Sequence, residues 1–359
     1  MGATATGKSK LAIDLALRFG GEVINSDKVQ VHDGLDVVTN KVMGDERAVV
    51  PHHLIGGVHP DADYEVADFR GDATRAVESV LARGRVPVVA GGSNRYLEAL
   101  LDGEPGFRRQ HDLCFLWVDA ELRVLDQYIC DRVDGMVEQG LVGEVRELFR
   151  LDADYSRGIR KSIGVPEMDV YFRREVAGAL DGNDDLRSCL LARAVGEIKA
   201  NTCELARRQL EKIHRLRGLP GWSLRRLDVT RVLALKVEKA AKDAEAERAA
   251  WEADVVAPAT RVVEMFLSGK AADDGRDDDA AGLRVAAKEG AAGAGSAAET
   301  SCACHCARAH ASPSPPVRCA WLVVTSARAP ARAWLAITAA HTPALACLPV
   351  AAARARARP

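Results

Sequence analysis

Directly after residue 9, Leu11, Leu15 and Phe19, with Ile13 and Ala16, recur at the spacing of one face of a helix. Three short stretches are apolar without alternation: Glu22–Asp27 around Val23-Ile24, Val86–Ala90, and Cys114–Val118. Runs of that kind are how parallel strands covered on both faces read. Each ends in a polar or glycine cluster: Asn25-Ser26-Asp27, Gly91-Gly92-Ser93 and Asp119. Helical patterns at Asp68–Leu81 and Arg95–Leu101 lie between the strands. This alternation predicts an α/β fold, a doubly wound parallel sheet flanked by helices. In such a sheet, ligands sit beyond the carboxyl ends of the strands, so the three clusters share one rim.

From Glu121 to about Arg217 the pattern turns helical. Leu122, Leu125, Ile129 and Val133 form one apolar stripe, and Leu190, Leu191, Ala194, Val195 and Ile198 another. Gly158–Pro166 interrupts it with Arg160 and Lys161, either as a basic loop facing phosphate or as a surface turn. A strongly basic helix follows from Asn201, in which Thr202 and Arg207-Arg208-Gln209 either cap an anion or form a solvated face. A further charged helix, Leu233 to Trp251, reads as solvent-laced packing. Past about Lys270 the composition becomes Asp, Ala and Gly, and residues 301–359 hold no Asp, Glu or Lys. Such a segment buries too little apolar surface to fold. The chain therefore divides into an α/β core over 1–120, a mostly helical part over 121–270 that completes the same catalytic domain, and a low-complexity tail over 271–359 expected to be disordered.

Composition narrows the picture modestly. A formal net charge of -2 gives no bulk attraction to nucleic acid or anionic membrane. No apolar run is long enough for a membrane span. Cys114, Cys130, Cys189 and Cys203 lie singly, as thiols of a reducing compartment do. Cys302, Cys304 and Cys306 with His305 form a tail knot whose C-x-C-H-C spacing lacks the paired intervals of a zinc site.

The chemistry concentrates at the start. Gly2-Ala3-Thr4-Ala5-Thr6-Gly7-Lys8-Ser9 fits G-x-x-x-x-G-K-[ST], the loop whose backbone N–H groups converge on phosphate at a helix N-terminus. Lys8 supplies charge for the outer phosphate oxygens, and the Ser9 hydroxyl can ligate Mg²⁺. The strand expected before such a loop is missing, because Met1 stands where it should end. On the same rim, Asp27 has three possible jobs: magnesium ligand, general base or structural cap. The residues alone specify a P-loop transferase using a nucleotide or a diphosphate, with the donor open.

The run Asn25–Lys41, followed by Val50-Pro51-His52-His53-Leu54-Ile55-Gly56, closely resembles plant adenylate isopentenyltransferases, the cytokinin synthases. So do Gly91–Asn94, Phe115–Asp119, Arg132-Val133-Asp134-x-Met136, Gly158–Val165 and Ala206–Gln209. The likeness runs from Gly2 to about Leu267. It implies transfer of a dimethylallyl group from its diphosphate to N6 of AMP, ADP or ATP, with Mg²⁺ as cofactor. Residues Gly2 to Ser9 would then hold the leaving diphosphate, with Mg²⁺ at Ser9. The resemblance places proton removal and N6 binding on Asp27 and Thr39, and charge stabilisation on Lys8. It sets Lys41, Ser93, Arg132, Arg207 and Arg208 around the diphosphate, with Arg160, Lys161 and Lys199 as weaker candidates for the nucleotide's phosphates. The partners implied are dimethylallyl diphosphate and an adenine nucleotide, ADP or ATP before AMP, with no membrane and a monomeric chain.

The rival within that superfamily is a tRNA dimethylallyltransferase. The absent basic excess, the short helical insertion and the lack of zinc spacing speak against it. A small-molecule kinase and an inactive nucleotide-binding member lacking its first strand are further rivals. As written the chain reads as cytoplasmic, or as plastidic if a transit segment has been lost.

Overall fold

The computed structural model describes residues 1–269, except 43, 45–48, 104–105 and 239–242, and the backbone of 317–321 and 323–326. Helix α1 (Lys8–Phe19) starts at Gly7, whose φ of 84° is left-handed, and stops at Gly20, which is left-handed again. Leu11, Ala12, Leu15 and Ala16 form its buried face. Strand β1 (Gly21–Asn25) follows immediately and is buried throughout. It pairs in parallel with β2 (His52–His53) and with β3 (Val86–Ala90), in register from Gly21–Val86 to Asn25–Ala90. Helix α2 (Val66–Ala82) carries the chain from β2 to β3 and opens with a capping box between Glu65 and Asp68. Helix α3 (Asn94–Leu101), short α4 (Phe107–Gln110) and β4 (His111–Asp112) lead to β5 (Phe115–Asp119).

After β5 come α5 (Leu122–Glu138), α6 (Leu141–Leu148), two 3₁₀ turns over Gly158–Lys161 and Pro166–Met168, and α7 (Asp169–Val176). Helix α8 (Asp184–Arg217) is a single helix of 34 residues, N-capped by the Asn183 side chain. The chain then returns to the sheet as β6 (Leu224–Asp228), parallel to β5. Its charged sequence conceals this strand from a hydrophobicity reading. Helices α9 (Thr230–Val237), α10 (Ala244–Trp251) and α11 (Ala257–Leu267) follow, the last two joined by a π turn over Glu252–Val256. The single charged helix expected over 233–251 is thus two helices.

The parallel sheet is present, but its strands form two hydrogen-bonded groups, β2-β1-β3 and one built on β5 and β6. On the edge of β5 that β6 leaves free, the Met1 nitrogen donates to the Leu116 carbonyl (2.6 Å), and the Val118 N–H donates to the Met1 carbonyl (2.8 Å). Gly2 bridges Val118 in parallel. Farther back, Phe115 pairs with Trp321 of β7 (Val317–Trp321), which also pairs with β4 and, antiparallel, with β8 (Val323–Ser326). Those two backbone segments of the tail are strands. The remainder of 270–359, including the cysteine knot, lies outside the described residues.

Two apolar cores result. One joins both strand groups with α1, α2 and the C-terminal helices through Leu15, Ile24, Phe69, Trp117 and Trp251. The other lies inside the helical part, around Leu35, Val38, Val133, Met136, Phe172 and Ile198. Helices α5 and α8 contribute to both cores, and the site lies between them.

Candidate active site

The Gly2–Ser9 loop closes on itself before reaching a ligand. Thr6 Oγ1 donates to the Ala3 carbonyl (3.0 Å), and Lys8 Nζ donates to the same oxygen (2.5 Å). Gly7 suits this turn, because its φ is left-handed and a Cβ would sit 3.0 Å from the Trp251 ring, so a side chain here would be strained. The N–H groups of the first turn of α1 have no earlier carbonyls to meet, so they present the positive end of the helix to the cavity. Burial lowers the Lys8 ammonium to about 8, an effect opposed by the negative charge of Asp27 and reinforced by Arg132.

Asp27 stands just past the carboxyl end of β1. Its backbone N–H donates to Asn25 Oδ1 (3.1 Å), and its Oδ1 accepts from the Val29 N–H (3.0 Å), which fixes the carboxylate's direction. Asn25 is itself anchored by donation to the Leu54 carbonyl (2.9 Å). Thr39 is buried, donates from Oγ1 to the Leu35 carbonyl (2.7 Å), and is held by Gln30, whose amide donates to the Thr39 carbonyl (3.0 Å).

Two cavities meet at this point. The smaller, of about 380 Å³, is the phosphate cradle, lined by Thr4 to Lys10, Tyr128 and Trp251. The larger, of about 550 Å³, has apolar walls from Val38, Ile129, Val133, Met136, Ile163 and Ile198. Thr4, Asp27, Thr39, Gly92, Arg132 and Gln209 line both. Lys28, Arg95, Lys161 and Lys212 line the larger cavity, and of these Lys161 lies in the field of the Asp63 carboxylate.

The comparisons agree on one family. The IPP transferase family model matches residues 30–112 and 104–215. Adenylate isopentenyltransferase 3 of Arabidopsis thaliana, a chloroplastic protein, is 50% identical over 269 residues, covering 74% of this chain and 77% of that one. The chain belongs to the IPP transferase family, in its adenylate isopentenyltransferase branch. The mitochondrial adenylate isopentenyltransferase 7 of the same plant is 46% identical over 75% of this transferase and 79% of its own length. The Humulus lupulus adenylate isopentenyltransferase is 42% identical, over 74% and 89%. Among solved structures, a eukaryotic dimethylallyltransferase acting on tRNA shares the fold, with a TM-score of 0.60 at 22% identity over 77% of this chain and 80% of that one. The tRNA isopentenylpyrophosphate transferase of Bacillus halodurans aligns with a TM-score of 0.52 at 25% identity, over 75% and 97%.

The transferase brings together most of the residues expected at its site, but not all. Gly2 is turned to β5. Ala3 serves the loop through its carbonyl, while Thr4, Ala5, Thr6, Gly7, Lys8 and Ser9 line the cradle. Ser93 lines the larger cavity, and its hydroxyl accepts from the Lys28 N–H (3.0 Å). Arg132 reaches Thr4, with Nη1 3.5 Å from Oγ1. Lys41 lines neither cavity: buried, it donates to the Gly34 carbonyl (2.6 Å) and pairs with Asp36 (2.8 Å), so it shapes its own loop. Arg207 is turned to Asp126 (2.5 Å) and Arg208 to Glu204 (2.7 Å), both away from the cavities. Arg160 is buried against Asp61 (2.6 Å) and the Leu148 carbonyl, and Lys199 pairs with Asp134 (2.7 Å). Of the weaker candidates only Lys161 faces the larger cavity.

Two residues gain roles that the sequence did not assign. Trp251, expected in a solvated helix, is 7% exposed and backs the cradle, with its Nε1–H donating to Asp14 (2.7 Å). Gln209, grouped in the sequence with two arginines, supplies the amide that ties the rim together. Among the described residues no cluster of three or more His, Cys, Asp or Glu could hold a metal, and no helix is long and apolar enough to cross a membrane.

Proposed function

We propose that this protein transfers a dimethylallyl group from dimethylallyl diphosphate to N6 of an adenine nucleotide, ADP or ATP in preference to AMP, the first step of cytokinin formation. The observation that carries the reading is the meeting of a phosphate cradle and an apolar-walled cavity at one carboxylate, Asp27. The diphosphate lies in the cradle against the loop N–H groups, Lys8 and Arg132. The adenine enters from the larger cavity, where Thr39 and Asp27 receive its amine. N6 attacks the allylic carbon as the C–O bond breaks, and the leaving diphosphate takes the bonding pair. Charge builds on oxygens that already face fixed donors, and such preorganisation is the largest stabilising effect available to a site. An aromatic amine is a weak nucleophile, so Asp27 takes the N6 proton during attack, not before it.

Magnesium fits this arrangement. Ser9 lines the cradle, and Mg²⁺ typically uses one or two protein oxygens together with substrate phosphate and water. When bound it supplies further positive charge to the diphosphate. The cations Lys28, Arg95, Lys161 and Lys212 on the wall of the larger cavity suit a polyphosphate tail, which supports ADP or ATP over AMP. An organellar location fits the chloroplastic and mitochondrial relatives.

The test is incubation of purified protein with dimethylallyl diphosphate, Mg²⁺ and, in separate reactions, AMP, ADP, ATP or an anticodon stem-loop RNA. N6-prenylated ADP or ATP is the expected product. Prenylation of the RNA alone would instead assign the chain to tRNA modification.

A further inference from the structure

Gln209, on α8, bonds through its side chain to both walls of the cradle. Its Oε1 accepts from the Thr4 N–H (2.7 Å), and its Nε2 donates to the Gly92 carbonyl (3.0 Å). The two partners require opposite ends of the amide, so the orientation is unambiguous. The residue is 8% exposed. Thr4 belongs to the phosphate loop and Gly92 to the turn after β3, and Asp27 lines both cavities with them. A Cβ at position 92 would come within 2.5 Å of Gln209 Nε2 and 3.6 Å of Asp27 Oδ2, so the turn, the amide and the carboxylate are in close packing. Asn94 adds a third tie by donating from Nδ2 to the Gln209 backbone carbonyl (3.1 Å), and this one is indifferent to the side chain.

We propose that Gln209 is a positioning residue that fixes the spacing between the phosphate loop, which holds the diphosphate, and the turn after β3 that packs on Asp27, and thereby couples breakage of the allylic C–O bond to capture by N6. The inference rests on the prenyl-transfer reading above. Each cavity retains its own binding groups without the Gln209 amide. What the amide alone supplies is their relative position. If the walls drift apart, the allylic carbon leaves the line of attack, and water competes for it. The side reaction is dimethylallyl diphosphate plus water giving dimethylallyl alcohol and diphosphate: the C–O bond breaks, water oxygen bonds to carbon, and its proton is released.

The experiment compares wild type, Gln209→Met and Gln209→Glu, measuring prenylated nucleotide and prenyl alcohol in the same reactions. Methionine keeps the length and loses both bonds. Glutamate keeps an oxygen for Thr4 and loses the donation to Gly92. For Gln209→Met, a drop of about 100-fold in kcat for transfer is expected with KM for dimethylallyl diphosphate nearly unchanged, as for a misplacement of about 1 Å. The ratio of alcohol to prenylated nucleotide should rise, with Gln209→Glu between it and wild type. A merely structural role would reduce the active fraction and leave that ratio unchanged, which would overturn the inference. Loss of fold in both variants would also overturn it. A wild type that forms neither product overturns the prenyl-transfer reading itself, whereas a coupled Gln209→Met overturns only the role of Gln209.

Discussion

Lys8 and Asp27 line the same cradle, and the carboxylate sustains a charge that burial opposes: the ammonium titrates near 8 instead of 10.5. A lowered lysine is cationic below that value and neutral above it. The diphosphate needs the cationic form. We expect kcat/KM for dimethylallyl diphosphate to be level below neutrality and to fall as pH rises through about 8. That parameter reports groups of the free enzyme. In Lys8→Arg the guanidinium stays charged, so the alkaline limb should vanish while the plateau drops. A profile for the wild type that stays level to the alkaline end of the range would exclude Lys8 as the diphosphate's counter-charge.

Asp27→Asn separates the proton acceptor from its scaffold. An asparagine oxygen can still accept from the Val29 N–H, so the turn after β1 should persist. The amide cannot take the N6 proton, and kcat should fall about 10²–10⁴-fold. Affinity for dimethylallyl diphosphate, measured by equilibrium binding well below neutrality where Lys8 stays cationic without the carboxylate, should change little. Retention of wild-type kcat would reduce the carboxylate to a structural cap.

Much of the rim is legible in the sequence because its parts are local. The loop and the clusters after β1 and β3 are contiguous motifs that line the cavities, whereas Asp119 at the end of β5 lines neither and pairs with Arg226. The helical part is less legible, for reasons of periodicity. Along α8 the residues lining the larger cavity are Ile198, Thr202, Leu205, Gln209 and Lys212, a stripe with steps of three and four. Arg207 and Arg208 fall off that stripe, and their ion pairs follow from it. The phase of the stripe, and not the density of charge along it, selects Gln209. Strand β6 is hidden for another reason: Leu224–Asp228 is charged, with only Leu227 fully buried, so it carries no continuous apolar run. The packing of Trp251 against the loop is a contact across more than two hundred residues, with no local signature.

The arginines provide a direct contrast. Arg132 lines both cavities and approaches Thr4, whereas Arg208 is surface-exposed and pairs one helical turn away with Glu204. Arg132→Ala should raise KM for dimethylallyl diphosphate and lower kcat together, by about 100-fold or more in kcat/KM, as expected for a lost charge-assisted contact worth roughly 3 kcal/mol. Arg208→Ala should leave both constants within about twofold, since an exposed pair at that spacing contributes only about 0.3–0.5 kcal/mol. Equal losses in the two variants, measured by steady-state kinetics, would show that α8 turns in solution to bring Arg208 onto the site.

Trp251 links the stability of the fold to the shape of the cradle. Its ring packs against Gly7, its Nε1–H is held by Asp14, and the Lys10 ammonium lies 3.9 Å from the ring centroid. Replacing so large a buried side chain by alanine removes apolar contact and leaves a void, a combined cost of about 3–5 kcal/mol. Trp251→Phe keeps most of the volume and forfeits the bond to the Asp14 carboxylate, about 1.5–3 kcal/mol. Urea unfolding should therefore rank wild type, Trp251→Phe and Trp251→Ala in falling order of midpoint. Because the ring backs the left-handed turn at Gly7, the alanine variant should also bind dimethylallyl diphosphate more weakly at temperatures where it remains folded. Binding of the nucleotide should be spared, since Trp251 lines only the smaller cavity. A destabilised variant with unaltered donor affinity would confine Trp251 to the core and leave the loop to hold its shape unaided.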